Sequence, residues 1–320
     1  TGCTGSRFLN GTLDLHIELE ERLAEFLRRE KVITFSTGFQ ANLGVISTLA
    51  GREDIILVDR SDHASIIDGT RMSFARVLKF RHNDMEHLRH QLEKHRDQAA
   101  LIVADGVFSM EGDLADIPGL VSAARDYGAR LMIDDAHGVG TMGAHGRGTA
   151  EHYGCESDVD MLVGTFSKSF ACIGGFAAGP AKVIDYIKHT ARTMIFSASL
   201  PPAAVATVLA TLDILEREPE LLQKTHRAAE RARKGLADLG FNVGNSEAPI
   251  VPVILGEEML TFRVWRALFD KGVFTNPVIT PAVPPDGDML RTSYMATHTD
   301  DMIDRALDIF EQVGKQFDLI

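Results

Sequence analysis

Three stretches of this 320-residue sequence collect residue types that can do chemistry. In Leu131-Met132-Ile133-Asp134-Asp135-Ala136-His137-Gly138, two acids and a histidine leave an apolar run that reads as a buried strand. Open α/β sheets place their ligands beyond the carboxyl ends of such strands. Acids there need a partner, because an uncompensated buried charge is costly or shifts its pKa. A divalent metal held by Asp and His would meet that need, as would the protonated nitrogen of a heteroaromatic cofactor. A solvated, capped turn is the structural alternative. In the second stretch, Met161-Leu162-Val163-Gly164-Thr165-Phe166-Ser167-Lys168-Ser169, a lysine follows another apolar run and precedes Gly174-Gly175. A lysine in a partly desolvated site has a lowered pKa and can form an imine with a carbonyl. The ordinary lysine is solvated. The third stretch, Ser36-Thr37-Gly38-Phe39-Gln40, opens a helix directly after a strand-like run. Unpaired amides and the helix dipole bind anions at such a start, and a plain N-cap explains the same residues. It is neither a Walker loop nor a G-x-G-x-x-G turn.

Three further positions gain meaning only with partners. His63, in Ser61-Asp62-His63-Ala64-Ser65, stands at a helix start, where capping is the ordinary role. Arg291, in Leu290-Arg291-Thr292-Ser293, is a charge inside a strand. It suits a bidentate carboxylate clamp and, equally, a structural ion pair. Ser197 opens the hydroxyl-rich turn Ser197-Ala198-Ser199-Leu200-Pro201-Pro202, which precedes a proline-initiated helix.

Elements must hold these residues in place. Leu15, Leu19, Leu23, Phe26 and Leu27 form one apolar face of a helix over 13–29. Strand-like runs at 32–35, 55–58, 76–80, 101–104, 130–133 and 161–163 alternate with helical patterns, including 40–49, 85–95 and 117–127. This predicts an α/β fold, a mostly parallel sheet with helices on both faces. The pattern changes after about residue 201: helical stretches 201–217 and 220–239, a strand at 250–255, and a helix at 259–270. A Pro-rich loop at 277–285, a strand at 289–293 and a closing helix from 300 complete the chain. A smaller C-terminal α+β domain is expected, dividing the chain into a large domain, 1–218, and a small one, 219–320.

Composition narrows the function classes. The chain is 45% apolar and 24% charged, ordinary values for a globular protein. With 33 Lys plus Arg against 45 Asp plus Glu, its formal charge of −12 argues against sequence-independent nucleic-acid binding. No apolar run approaches the ~20 residues that span a bilayer, and no charged-then-apolar leader is present. Cys3, Cys155 and Cys172 lack metal-type spacing. A soluble protein of a reducing, cytoplasmic compartment is expected. The opening Thr1-Gly2-Cys3-Thr4-Gly5 lacks an initiator Met and reads as a Gly-rich loop, so processing or a longer parent chain is expected.

Asp at one strand end, Lys past the next, and an anion-ready helix start together describe a pyridoxal 5′-phosphate site. There the lysine holds the cofactor aldehyde as an imine, and the Asp keeps the ring nitrogen protonated. The sequence also resembles the α-oxoamine synthases, within the fold-type I pyridoxal-phosphate enzymes. The resemblance runs through nearly the whole chain. It includes Thr4-Gly5-Ser6-Arg7, Ser36-Thr37-Gly38-Phe39-Gln40-Ala41-Asn42, His63-Ala64-Ser65 and Phe80-Arg81-His82-Asn83-Asp84. It continues through Glu111-Gly112-Asp113, Asp134-Asp135-Ala136-His137, His145-Gly146-Arg147-Gly148, Thr165-Phe166-Ser167-Lys168 and Ser199-Leu200-Pro201-Pro202.

This resemblance implies that Lys168 carries the Schiff base and moves the proton at the substrate α-carbon. Asp134 would pair with the pyridinium nitrogen, His137 would bond the phenolic oxygen, and His63 would stack on the ring. Ser109 would lie on the O3′ side. Thr37, Gly38, Phe39 and Thr165 would hold the phosphate, with Ser197 from a second subunit, and Arg291 would clamp the amino-acid carboxylate. The implied reaction is a decarboxylating Claisen condensation of an amino acid with an acyl-CoA, or acyl-carrier-protein, thioester. CoA and CO₂ leave, and an α-amino ketone remains. An obligate homodimer with shared sites is implied, with no nucleic-acid partner. Residues 80–84 and 164–169 resemble members that join serine to a long acyl-CoA, as does Arg291-Thr292-Ser293 followed by Thr297-His298-Thr299. Residues 134–138 resemble equally those that join alanine to a pimeloyl thioester, and glycine C-acetylation shares the motifs. Family members begin upstream of Thr1 with a segment at the acyl entrance, so chain-length selectivity is not legible. The rival from another class is a metal-dependent lyase using Asp134, Asp135 and His137. A non-catalytic binding module would require Lys168 to lie away from Asp134.

Overall fold

The structure, a computed structural model, describes residues 2–320; Thr1, in the opening Gly-rich loop, lies outside them. The described residues form two units, the first made of those up to Val107 together with Ala115–Arg217, the second of Phe108–Leu114 and Glu218–Ile320. In the first unit, strands β1 (Lys31–Phe35), β2 (Ile55–Asp59), β3 (Arg76–Phe80), β4 (Ala100–Asp105), β5 (Arg130–Asp134), β6 (Met161–Thr165) and β7 (Gly175–Gly179) share one sheet. Their order is β1-β7-β6-β5-β4-β2-β3. Strands β2 to β6 pair in parallel, and β7 alone runs against its neighbours β1 and β6. Ile55, Ile56, Leu57 and Val58 are all fully buried. That run has no polar alternation because a parallel sheet is covered on both faces.

The covering helices of this unit are α1 (Asp14–Phe26), α2 (Gly38–Leu49), α3 (Ala64–Met72), α4 (Met85–Lys94) and α5 (Ile117–Tyr127). With them come α6 (Thr149–His152), α7 (Ala181–Thr190), α8 (Arg192–Ile195) and α9 (Pro202–Arg217). Val45 and Ile46 of α2, Ile66 of α3, and Ile184 and Ile187 of α7 pack in one core with Ile33, Val58, Val103, Met132 and Val163 of the sheet.

Periodicity misses α3, α7 and β7. The β7 sequence, Gly-Phe-Ala-Ala-Gly, lacks the β-branched residues on which a strand reading rests. It is small because space is scarce: a Cβ on Gly175 would lie 2.5 Å from the Gly38 Cα at the start of α2.

The second unit holds α10 (Glu220–Asp238), β8 (Ile250–Ile254), α11 (Glu258–Asp270), β9 (Asn276–Val278), β10 (Met289–Ser293) and α12 (Asp300–Gln316). Its antiparallel sheet runs β8-β10-β9. Leu236, Val251, Val253, Val264, Leu268, Leu290, Phe310 and Val313 form its core. Strand β9 falls where a Pro-rich loop is expected, and Pro277 is tolerated there because β9 is an edge. The segment Phe108–Leu114 joins this unit because the Gly112 carbonyl accepts the Glu247 and Ala248 amides at 3.0 and 2.9 Å. Gly112 has φ +74° and packs against the Ile250 carbonyl, a place only glycine fills without strain. Among the described residues, no helix is long and apolar enough to cross a membrane.

Candidate active site

Neighbouring strands β2, β4 and β5 finish on Asp59, Asp105 and Asp134, all buried, with Asp105 and Asp134 paired in register. Asp134 accepts the Ala136 amide at 3.1 Å and the Asn42 Nδ2 at 2.5 Å. Burial pushes its carboxyl pKa up. The Asn42 bond opposes that most, followed by the electrostatic influence of His63, the Ala136 amide and the charge on Lys168. Lys168 lies three residues past β6, in a turn closed by the Ala171 amide on its carbonyl at 3.0 Å. It is exposed rather than partly desolvated as expected, because that turn projects beyond the strand end. Its charge is the smallest of the influences that oppose the upward shift of the Asp134 pKa.

Asp135 faces elsewhere. Its Oδ2 accepts the Thr149 amide at 2.6 Å and hydroxyl at 3.0 Å, and its own amide donates to the Val163 carbonyl at 2.8 Å. Burial pushes its carboxyl pKa up to about 7. The carboxylate fills space that a side chain on Gly138 or Gly148 would need, so it ties down the loop after β5. His137, half-buried, sits in that loop, and the Thr141 hydroxyl donates to its carbonyl. Among the described residues, no group of three His, Cys, Asp or Glu side chains is arranged to hold a metal.

The start of α2 gathers the anion-binding candidates. Thr37 caps the helix, its hydroxyl accepting the Gln40 amide at 3.1 Å. The Gly38 and Phe39 amides stand ahead of the first intrahelical bond. A Cβ on Gly38 would lie 2.7 Å from the Thr165 Cβ, so the glycine lets α2 begin against the end of β6. The Thr165 hydroxyl donates to the Gly174 carbonyl at 2.9 Å and meets the Ser167 hydroxyl at 2.8 Å. Ser197, expected from a second subunit, accepts Gln40 Nε2 at 3.0 Å within its own chain. The exposed Phe39 ring stands edge-on to His63, with centroids 6.5 Å apart.

His63 does cap α3: its Nδ1 accepts the Ser65 amide at 3.3 Å and lies 2.7 Å from the Ser65 hydroxyl. Its own amide donates to Asp105 at 2.8 Å. In the second unit, Arg291 donates from Nε to the Ser109 carbonyl at 2.5 Å and from Nη1 to the Ser293 hydroxyl at 2.8 Å. Both partners are neutral, and burial pushes the guanidinium pKa down. That leaves its charge available to an anion.

Motif reading includes Asn42, Asp62 and Ser65 without giving them a role, and it overlooks Asp105. Part of the signal was present: IILVD, ALIVAD and RLMID are three apolar runs that each end in Asp.

The sequence profile described as "Aminotransferase class I and II" matches residues 2–310. The chain belongs to that family. Among aminotransferase class I and II relatives, it is 52% identical to a serine palmitoyltransferase of Sphingobacterium spiritivorum, over 100% of this chain and 80% of that protein. It is 42% identical to an 8-amino-7-oxononanoate synthase of Thermoanaerobacter pseudethanolicus, over 100% of this chain and 81% of that one. The structure of S. paucimobilis serine palmitoyltransferase with a bound PLP–myriocin aldimine superposes with a TM-score of 0.97 at 37% identity. That match covers 100% of this chain and 81% of the other. The fold is that of the fold-type I pyridoxal-phosphate transferases. The donor set of this aminotransferase-family chain fits pyridoxal phosphate: a buried carboxylate at a strand end, an exposed lysine whose charge acts on it, and amides and hydroxyls at one helix start.

Proposed function

We propose that the chain is a pyridoxal-phosphate-dependent serine palmitoyltransferase. It condenses L-serine with palmitoyl-CoA to give 3-ketodihydrosphingosine, CoA and CO₂. The observation that carries this reading is the buried Asp134 carboxylate in the field of Lys168, within a chain about half identical, end to end, to serine palmitoyltransferases. When bound, the cofactor supplies an aldehyde for amines and a ring that takes up an electron pair.

The remaining work falls to side chains. Lys168 would hold the cofactor aldehyde and would move the proton at the amino-acid α-carbon. Asp134 would hold the ring nitrogen, supported by the Asn42 amide. His137 would bond the phenolic oxygen, His63 would lie against the ring and Ser109 would serve the O3′ side. Thr37, Gly38, Phe39, Thr165 and Ser197 would hold the phosphate, which supplies positioning rather than reaction. Arg291 receives the substrate carboxylate. The active form is a homodimer with shared sites, in the cytoplasm, using an amino acid and an acyl-CoA or acyl-carrier-protein thioester.

A product assay on the purified chain tests the reading. CoA release with serine and palmitoyl-CoA supports it; release only with alanine and a pimeloyl thioester supports oxononanoate synthesis, which the 42% identical relative favours. Release only with glycine and acetyl-CoA would point to C-acetylation. No release with any pair, and no absorbance band near 420 nm, would sink the family chemistry.

A further inference from the structure

Asn42, Ser65, Asp62 and Asp105 are buried polar residues beside the site, and the mechanism above uses only one bond from them. The Asn42 Nδ2 donates twice, to Asp134 Oδ2 at 2.5 Å and to Ser65 Oγ at 2.8 Å. In this orientation Oδ1 is buried without a hydrogen-bond partner, and the reverse would set Oδ1 against the Asp134 carboxylate oxygen instead of a donor. Ser65 Oγ accepts from Asn42, so its own hydrogen is left for His63 Nδ1, 2.7 Å away. The Ser65 backbone amide also points at Nδ1, at 3.3 Å. A backbone N–H can only donate, so Nδ1 is an acceptor. A neutral imidazole with an acceptor at Nδ1 carries its proton on Nε2. Behind the ring, the His63 amide is held by Asp105 Oδ2 at 2.8 Å, and the Asp105 amide by Asp62 Oδ1 at 2.9 Å.

We propose that Asn42 and Ser65 are positioning residues that tie Asp134 to His63 and lock His63 in the tautomer with its proton on Nε2. Asn42 spends one hydrogen keeping Asp134 an acceptor for a ring N–H and the other setting the Ser65 hydroxyl. His63 consequently presents a donor, suited to an oxygen of substrate or cofactor, and not an acceptor. The tautomer follows from the bonds alone; its use in turnover rests on the function proposed above.

The test is a long-range ¹H–¹⁵N correlation spectrum of the full chain labelled with ¹⁵N-histidine, the His63 signals being assigned by their loss in His63→Gln. The expected pattern is a protonated Nε2 with a bare Nδ1. Ser65→Ala keeps the backbone amide on Nδ1 and removes only the hydroxyl bond. It should move the His63 Nδ1 signal without moving the proton to it, and should lower kcat/KM for the amino acid about tenfold, the scale of one lost hydrogen bond. Ser65→Thr, which keeps the hydroxyl, should restore both. A proton on Nδ1 in the unsubstituted protein overturns the proposal, as do unchanged His63 signals in folded Ser65→Ala. Should Ser65→Ala not fold, the unsubstituted spectrum decides alone. Absence of turnover with every thioester removes the function but not the tautomer, so the two failures are distinguishable.

Discussion

The two rims of the seven-stranded sheet treat charge in opposite ways. At the carboxyl rim, Asp59, Asp105 and Asp134 are buried and bonded to backbone or side-chain amides or to histidine. At the amino rim, Arg130 pairs with Asp160 at 2.9 Å and Lys31 with Asp185 at 2.6 Å, all in contact with solvent. Exposed pairs gain about 0–1 kcal/mol, since water and salt screen them. Buried acids lack that screening, and each must be neutralised or satisfied by fixed donors. Such an arrangement is not one that stability alone requires, and it supports placing the proposed chemistry at the carboxyl rim.

The largest effect that sharpens this contrast is expected at Lys168. Lys168→Ala should cut turnover on the order of 10⁵-fold, as loss of a covalent group does, with an unchanged far-ultraviolet circular dichroism spectrum. Substantial residual turnover would remove the chemistry from this rim. Asp134→Asn should come next, lowering kcat by roughly 10²–10³-fold at saturating cofactor, the scale of one lost electrostatic contact. Its denaturant midpoint should hold or rise, because a buried charge has been deleted. A stability loss without a kinetic one would make Asp134 structural.

Asp135 tests burial through pH. Its folded pKa, about 7, exceeds the ordinary carboxyl value of 3.8, so between those values the folded state binds the extra proton. Its stabilising contribution is therefore complete below about pH 4 and lost as pH rises to about 7. Asp135→Asn should flatten that slope, worth on the order of a few kcal/mol, in urea unfolding between pH 5 and 8. An identical slope in the variant would place the proton elsewhere. The smallest effect belongs to the amino rim: Arg130→Ala should shift stability by less than about 0.5 kcal/mol and leave kcat/KM unchanged. A large kinetic loss there would break the comparison outright.

Much of the site was legible because its motifs are local. Strand, turn and helix start occur within a few residues of Thr37, Asp134 and Lys168, so the sequence shows both the side chain and the element that presents it. His63 was readable as a cap for the same reason. The bonds of Asn42 were not, because they connect positions 23 and 92 residues away along the chain. Nor were the Thr149 bonds that hold Asp135, although the resemblance had already implied the ring-nitrogen role for Asp134 alone. The strand β7 was hidden by its glycines, whose reason is the approach of Gly38.

By itself, then, the sequence determined an α/β chain, because local period encodes that directly, and a pyridoxal-phosphate chemistry, because residue type at strand ends and a helix start points to it. The residue roles came from the order and spacing of motifs that resemble the α-oxoamine synthases. The tertiary structure decided that Phe108–Leu114 folds with the second unit, that Lys168 stands exposed within the field of Asp134, and that Asn42 joins Asp134 to the Ser65–His63 pair. Each of those depends on which distant segments share a small buried volume. Hydrogen bonding in that volume is settled by direction and distance, and no linear pattern carries either.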